Sequence, residues 1–318
     1  MFFDLPLEQL RTRRSESPEP ADFDAFWSRT LAESRALTSP PTITAYDSGL
    51  ASVDVFDVRF AGFNGEPIAA WLTVPKGAPP RTTVVQYHGY SGSRGLPFEN
   101  LMWSAAGYAH LSVDNRGQGW GHNDTGVTPD IAAVTPGPPG LMTRGIAAPD
   151  SYYYRRLFTD AVLAVDFVRG YEPLATSQIV VVGGSQGGGI TIAVAGLVEG
   201  LAGALPDVPF LCDYRRAVAI SDAYPYREIS DYCQAYRNQV DTVFGTLAYF
   251  DGTAFAARAT APTLFSVALM DQVCPPSTVF AAYNVWAGPK DIAVFEFNGH
   301  EGGGTYHRRR QLAFVAGL

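Results

Sequence analysis

Four consecutive apolar residues, Ile179-Val180-Val181-Val182, run directly into Gly183-Gly184-Ser185-Gln186-Gly187-Gly188. Beyond them, Gly189-Ile190-Thr191-Ile192-Ala193-Val194-Ala195 is small and apolar enough for a buried helix. A buried strand, an abrupt turn and a buried helix in immediate succession call for a layered fold that covers the strand on both faces. The turn reads G-x-S-x-G in its required strand–turn–helix context. Glycine is needed on both sides because the serine is held in a strained conformation with other elements close by. Raised on such a turn, Ser185 Oγ is presented at a helix N-terminus, which favours developing negative charge.

The rest of the chain repeats that alternation. Short apolar runs at Thr82–Tyr87, Tyr108–Val113, Gln178–Val182, Arg216–Ile220, Thr263–Leu269 and Ile292–Phe297 are predicted strands. Helices are expected between several of them, most clearly over Ser151–Arg169 and Gln186–Glu199. This order predicts a mainly parallel central sheet flanked by helices. Ahead of it, Asp22–Leu37 reads as an amphipathic helix, and Val53–Phe60 pairs with Ile68–Val74 across an Asn64-Gly65 turn. The expected organisation is one domain over 1–318. Residues 1–50 form an N-terminal extension, and 223–258 form an insertion ahead of the acid-bearing strand. That insertion carries seven aromatics from Tyr224 to Phe250 and suits a lid, a subunit interface or both. The stretch Gly117–Gly145, rich in glycine and proline, is too long for a mere connector.

Composition narrows the function classes. With 318 residues, 47% of them apolar, the chain buries a large core without staples, which excludes disordered, collagen-like and coiled-coil classes. A net charge of −8 argues against a nucleic-acid partner, and Arg308-Arg309-Arg310 reads as a solvated helix face. Cys212, Cys233 and Cys274 make an odd count without C-x-x-C spacing, so neither a disulfide framework nor a zinc ribbon is expected. No apolar stretch is long enough to span a membrane, and Met1–Pro6 lacks the pattern of a signal peptide. The expected location is cytoplasmic, with reduced thiols.

A serine nucleophile needs a base, and the base needs an orienting carboxylate; in α/β-hydrolases the chain order is Ser, Asp or Glu, His. Two histidines follow Ser185. His300 lies in the loop Asn298-Gly299-His300-Glu301-Gly302-Gly303-Gly304 just after a predicted strand, where a base belongs; His307 falls in a helical stretch and reads as a surface residue. For the acid, Asp271 follows Thr263–Leu269, one strand before the histidine, and is favoured over Asp222, which ends the preceding run. Glu301 would point away from the imidazole Nδ1. The oxyanion hole needs two N–H groups, one from Gln186 and one from the loop His88-Gly89-Tyr90-Ser91-Gly92-Ser93, where Tyr90 is the choice. His88 is read as shaping that loop. Gly117-Gln118-Gly119-Trp120-Gly121 lacks dinucleotide-loop spacing, and Asp114, Asp124 and Asp130 match no calcium loop. Neither cofactor nor metal is expected.

Arg116-Gly117-Gln118, Gly183-Gly184-Ser185-Gln186-Gly187 and His300-Glu301 occur here in the order of the three signatures of carbohydrate esterase family 7. The chain resembles that family, the acetyl xylan esterases that also deacetylate cephalosporin C, and the resemblance extends through Met142–Ile146, Tyr152–Arg156 and Cys274–Phe280. It implies hydrolysis of acetyl esters of short xylo-oligosaccharides and cephalosporins, an intracellular hexamer, and a triad on Ser185, Asp271 and His300 with oxyanion donors on Tyr90 and Gln186. It also implies that Arg116 and Gln118 hold loops together. Trp120-Gly121-His122 departs from the small polar residue expected after Gly119 in some relatives. Two rivals compete: a prolyl-oligopeptidase-type peptidase, against which the chain has no room for a propeller domain, and a catalytically silent binding module.

Overall fold

The computed structural model describes residues 2–77, 79–121, 126–131 and 140–318. His122 and Asp124, singled out above, lie outside them, as does much of the Gly117–Gly145 stretch. Among the described residues, nine strands form one sheet: β1 (Thr42–Tyr46), β2 (Val53–Ala61), β3 (Pro67–Pro75), β4 (Thr82–Tyr87), β5 (Ala109–Val113), β6 (Gln178–Gly184), β7 (Gly203–Asp207), β8 (Thr263–Ala268) and β9 (Lys290–Phe295). Their spatial order is β1-β2-β3-β5-β4-β6-β7-β8-β9. Pairing is antiparallel from β1 through β3 to β5 and parallel from β5 to β9.

The helices are α1 (Leu7–Leu10), α2 (Phe23–Arg35), α3 (Met102–Ala105), α4 (Tyr153–Gly170), α5 (Gln186–Leu197), α6 (Tyr214–Ile220), α7 (Tyr226–Ala235), α8 (Val240–Leu247), α9 (Gly252–Ala256), α10 (Pro276–Val285) and α11 (Gly304–Ala316). They cover both faces of the sheet, which explains the uninterrupted apolar run of β6. Ile179 and Val181 point into the main core with α4 and α5, while Val180 and Val182 point to the opposite face with Trp103 of α3 and Val315 of α11. No helix among the described residues is long and apolar enough to cross a membrane.

An aromatic cluster joins α2 to α4 and to Tyr249 and Phe250 after α8. Trp27 of α2 stacks on Phe158 of α4 at 6.0 Å and meets Phe250 edge-on at 5.5 Å, while its indole N–H donates to the Tyr249 carbonyl at 2.9 Å. Of the seven aromatics from Tyr224 to Phe250, Tyr226 and Phe250 are fully buried and Tyr224 is exposed.

Three sequence readings need correction. Arg216–Ile220 is not a strand but most of α6. A short apolar run cannot by itself distinguish strand from helix, and here the Asp251 carboxylate accepts from the N–H groups of Asp213 and Tyr214, at 2.9 and 3.0 Å, as the helix starts. The strand in that part of the sheet is β7, whose Gly-Ala-Leu-Pro-Asp sequence reads locally as a turn and is held extended by its neighbours β6 and β8. Second, β9 starts and ends two residues before the predicted Ile292–Phe297, leaving Phe297 exposed. Third, His307 is only 2% exposed, because α11 turns its ring against Phe295 and brings Nε2 to 2.7 Å from Asp207 Oδ1. Arg308, Arg309 and Arg310 do face solvent.

Candidate active site

The site assembles at the carboxyl ends of β4, β6, β8 and β9, where an open parallel sheet places its ligands. Ser185 caps α5 with φ 56° and ψ −120°, in the left-handed half of backbone space. That strain is held from three sides: its N–H donates to the Asp207 carbonyl at 2.9 Å, and its own carbonyl accepts from Gly189 and Phe210 at 3.0 and 2.9 Å. The flanking glycines are steric necessities, since a Cβ on Gly183 would overlap the backbone of Gly187, and one on Gly187 would overlap the Tyr87 carbonyl.

His300 sits in the loop between β9 and α11, with Nε2 2.9 Å from Ser185 Oγ and Nδ1 2.8 Å from Asp271 Oδ2. Asp271, 1% exposed, follows β8; its Oδ1 accepts from the N–H groups of Val273 and Cys274 at 2.8 and 3.0 Å. The Met270 N–H donates to the Asn298 carbonyl at 3.1 Å, so the two loops are tied to each other. The rival acid is far from this arrangement in kind: Asp222 is fully exposed and pairs with Arg227 at 3.5 Å. It follows a helix rather than a strand because of the α6 correction above. Glu301 accepts from Asn298 and the Gly299 N–H, away from the imidazole.

Gln186 opens α5, so its N–H has no partner within the helix. Among the described residues, neither it nor the Tyr90 N–H donates a backbone hydrogen bond within the protein. The loop bearing Tyr90 is braced throughout. Asn115 Nδ2 reaches the carbonyls of His88, Gly89 and Gly92, and Gln186 Nε2 donates to His88 and Gly89. His88 Nε2 is 2.9 Å from Ser112 Oγ. Gln118 accepts from the Ser91 N–H at 2.7 Å and reaches the Gln186 side chain, while buried Arg116 forks onto Asp160 and pairs with Glu66 at 2.6 Å.

Sequence reasoning missed Glu228. It is buried on α7 beside Tyr226, Ile229 and Tyr232, accepts from the Tyr90 hydroxyl at 2.6 Å and from the Met142 N–H at 3.0 Å, and so links α7 to the loop that carries Tyr90. Burial raises its carboxyl above the ordinary range, against the pull of those two donors. Its one local signal is a carboxylate among the apolar positions of a helix face.

A cleft of about 510 Å³ opens onto Ser185 and His300, bordered by Tyr90, Gly121, Tyr224 and Val273. A larger cavity of about 650 Å³ lies between the Ser17–Pro20 segment and α8, but none of Ser185, Asp271 or His300 lines it. One group among the described residues has metal-like spacing, Asp271, Cys274 and His300, whose ligand atoms lie within 4.8 Å of one another. Both Asp271 oxygens are already engaged there, and burial pushes the Cys274 thiol up, away from the thiolate a metal would need.

The family model for acetyl xylan esterase matches residues 1–318. An acetyl xylan esterase from Paenibacillus sp. R4 superposes with a TM-score of 0.92 and 42% identity, covering 99% of this chain and 100% of that one. Acetyl xylan esterase 1 from Thermoanaerobacterium sp. JW/SL YS485 does so with a TM-score of 0.90 and 33% identity over 98% and 99% of the two chains. The acetyl esterase Axe7A of Xylanibacter ruminicola is 26% identical over 88% of this chain, but the match spans only 63% of that protein's length. A whole-length family match and two close structural relatives on an α/β-hydrolase sheet place this chain in the acetyl xylan esterase family, carbohydrate esterase family 7, among the carboxylic ester hydrolases.

Proposed function

We propose that this chain removes O-acetyl groups from short acetylated xylo-oligosaccharides and from cephalosporin C, through an acetyl-enzyme intermediate on Ser185. The observation that carries the reading is the continuous hydrogen-bonded series Ser185 Oγ, His300 and Asp271, at 2.9 and 2.8 Å. His300 Nε2 takes the Ser185 hydroxyl proton as Oγ attacks the acetyl carbonyl carbon. The N–H groups of Tyr90 and Gln186 stabilise the resulting oxyanion; in enzymes of this type one such donor is worth about 10²–10³ in kcat. Collapse breaks the bond to the sugar oxygen, which receives the proton from His300. Water, losing its proton to the same nitrogen, then releases acetate and restores Ser185. Asp271 keeps the Nδ1–H tautomer that this sequence requires.

The substrate class rests on the names of the relatives at 42% and 33% identity, both acetyl xylan esterases. Family resemblance further supports a cytoplasmic hexamer built from one domain over 1–318, with 1–50 as an extension and 223–258 as an insertion; light scattering of the purified protein tests the hexamer. The decisive experiment measures acetate release from acetylated xylo-oligosaccharides, cephalosporin C and p-nitrophenyl esters of increasing acyl length. Activity confined to short acyl groups, and lower by about 10⁴ or more in folded Ser185→Ala, is expected. Wild-type rates in that variant would sink the nucleophile assignment, and a preference for long acyl chains would sink the substrate.

A further inference from the structure

Two exposed aromatics are not used by the chemistry above: Tyr224, which lines the cleft, and Trp120, whose neighbour Gly121 lines it. Trp120 is 60% exposed and Tyr224 is 63% exposed. A single exposed aromatic is ordinary on a protein surface, so exposure alone argues nothing. These two differ because each is anchored. The N–H groups of Gly119, Trp120 and Gly121 all converge on the Ser91 carbonyl at 3.1 Å, pinning the Trp120 backbone to the loop that carries Tyr90. The Trp120 ring then meets the Tyr90 ring edge-on, at 6.0 Å and 89°. On the other segment, the Tyr224 hydroxyl donates to Asp231 Oδ2 at 3.0 Å, and Asp231 is itself clamped by Arg227 Nε at 2.7 Å.

Tyr224 borders the cleft directly, and Trp120 adjoins it through its ring contact with Tyr90. Tyr224 and Gly121, next to Trp120, line it together with Ser185 and His300. Rigid apolar faces left in water are an unfavourable surface that an occupying ligand would relieve, and prior fixing of the rings lowers the ordering cost on binding. Beside Tyr224, Asp231 and Arg227 add charged hydrogen-bonding groups. A pyranose ring has the matching chemistry: an apolar face of C–H bonds, edged by hydroxyls. The acetyl group, far smaller, needs only the space at Ser185.

We infer that Trp120 and Tyr224 form a platform that seats the pyranose ring of the acetylated sugar and selects sugar esters over simple acetates. This rests on the substrate reading above, and the test separates the two. The readout is the ratio of kcat/KM on acetylated xylotriose to kcat/KM on p-nitrophenyl acetate, an ester with no sugar. In Trp120→Ala and Tyr224→Ala that ratio falls about tenfold, mostly through KM for the sugar ester, consistent with losing one aromatic contact. Trp120→Phe and Tyr224→Phe recover part of it. Equal losses on both substrates would reflect a disturbed Tyr90 loop and overturn the platform while leaving the esterase reading intact, as would an unchanged ratio. A wild-type enzyme inactive on the sugar ester would overturn the substrate reading itself. Binding is checked without turnover by titrating Ser185→Ala with unacetylated xylotriose: its tryptophan fluorescence changes, and that change is lost in Ser185→Ala/Trp120→Phe. A response that survives in the double variant also overturns the platform.

Discussion

The Tyr90 hydroxyl donates to Glu228 Oε1 at 2.6 Å, joining the loop after β4 to α7 across 138 positions of sequence. The same hydroxyl accepts from the Leu141 N–H at 2.9 Å, and the second Glu228 oxygen accepts from Met142. Burial first, then the neighbouring Glu228 charge, raises the Tyr90 hydroxyl far above its ordinary range, so it remains a donor at any working pH. The Tyr90 backbone N–H, proposed for the oxyanion hole, is thus held through its own side chain by a carboxylate that does not line the cleft at Ser185.

Glu228→Ala is therefore expected to act at a distance. It leaves the Tyr90 hydroxyl and the Met142 N–H without their acceptor, a loss of about 1–3 kcal/mol in stability. It also loosens one oxyanion donor, lowering kcat by roughly tenfold, a fraction of what removing a donor outright does. Glu228→Gln keeps one accepting oxygen but sets an NH₂ where the second acceptor was, so it recovers only part of each loss. Urea midpoints and kcat on p-nitrophenyl acetate measure the two effects; a wild-type kcat in folded Glu228→Ala would show that the link is structural only.

Asp271→Asn tests the orienting carboxylate. Oδ1 is held by the N–H groups of Val273 and Cys274, so an asparagine would keep its carbonyl there and turn its NH₂ toward His300 Nδ1. Two donors then face each other unless the imidazole shifts its proton to Nε2, the atom that must accept from Ser185. A fall of about 10⁴ in kcat with an unchanged melting temperature is expected. A loss below about tenfold, measured as steady-state acetate release, would move the orienting role elsewhere.

A third prediction concerns acid stability. Burial alone would raise the Asp130 carboxyl, but the hydrogen bonds and charge of Arg156, with Arg116 and Arg144 behind it, hold it below the ordinary value of 3.8. A folded-state value below the unfolded one contributes stability that is complete above the unfolded value and lost as pH falls through the folded one. Wild type should therefore lose more stability than Asp130→Asn on going from about pH 5 to about pH 2. Urea midpoints at both ends give the comparison, and parallel losses in the two proteins would contradict it.

Much of this was legible along the chain because its cause is local. The strained serine needs glycine on each side and a buried strand and helix beyond, so β6, Ser185 and α5 announce themselves in consecutive residues. His300 and Asp271 are readable for a related reason: each lies in a short loop directly after an apolar strand, β9 and β8. Strand order in the sheet then brings those loops to the same edge.

What the chain by itself determined is its layered α/β plan, its strand–turn–helix serine and the small set of residues able to serve that serine. Only tertiary structure decided the rest, because the deciding interactions join distant residues. Gly203–Asp207 becomes a strand only between β6 and β8, and Tyr214–Ile220 becomes a helix with its start held by Asp251. His307 is buried because Asp207 and Phe295 meet it there. Glu228 matters because folding sets its carboxylate under Tyr90, and no periodicity encodes a hydrogen bond between residues so far apart in sequence.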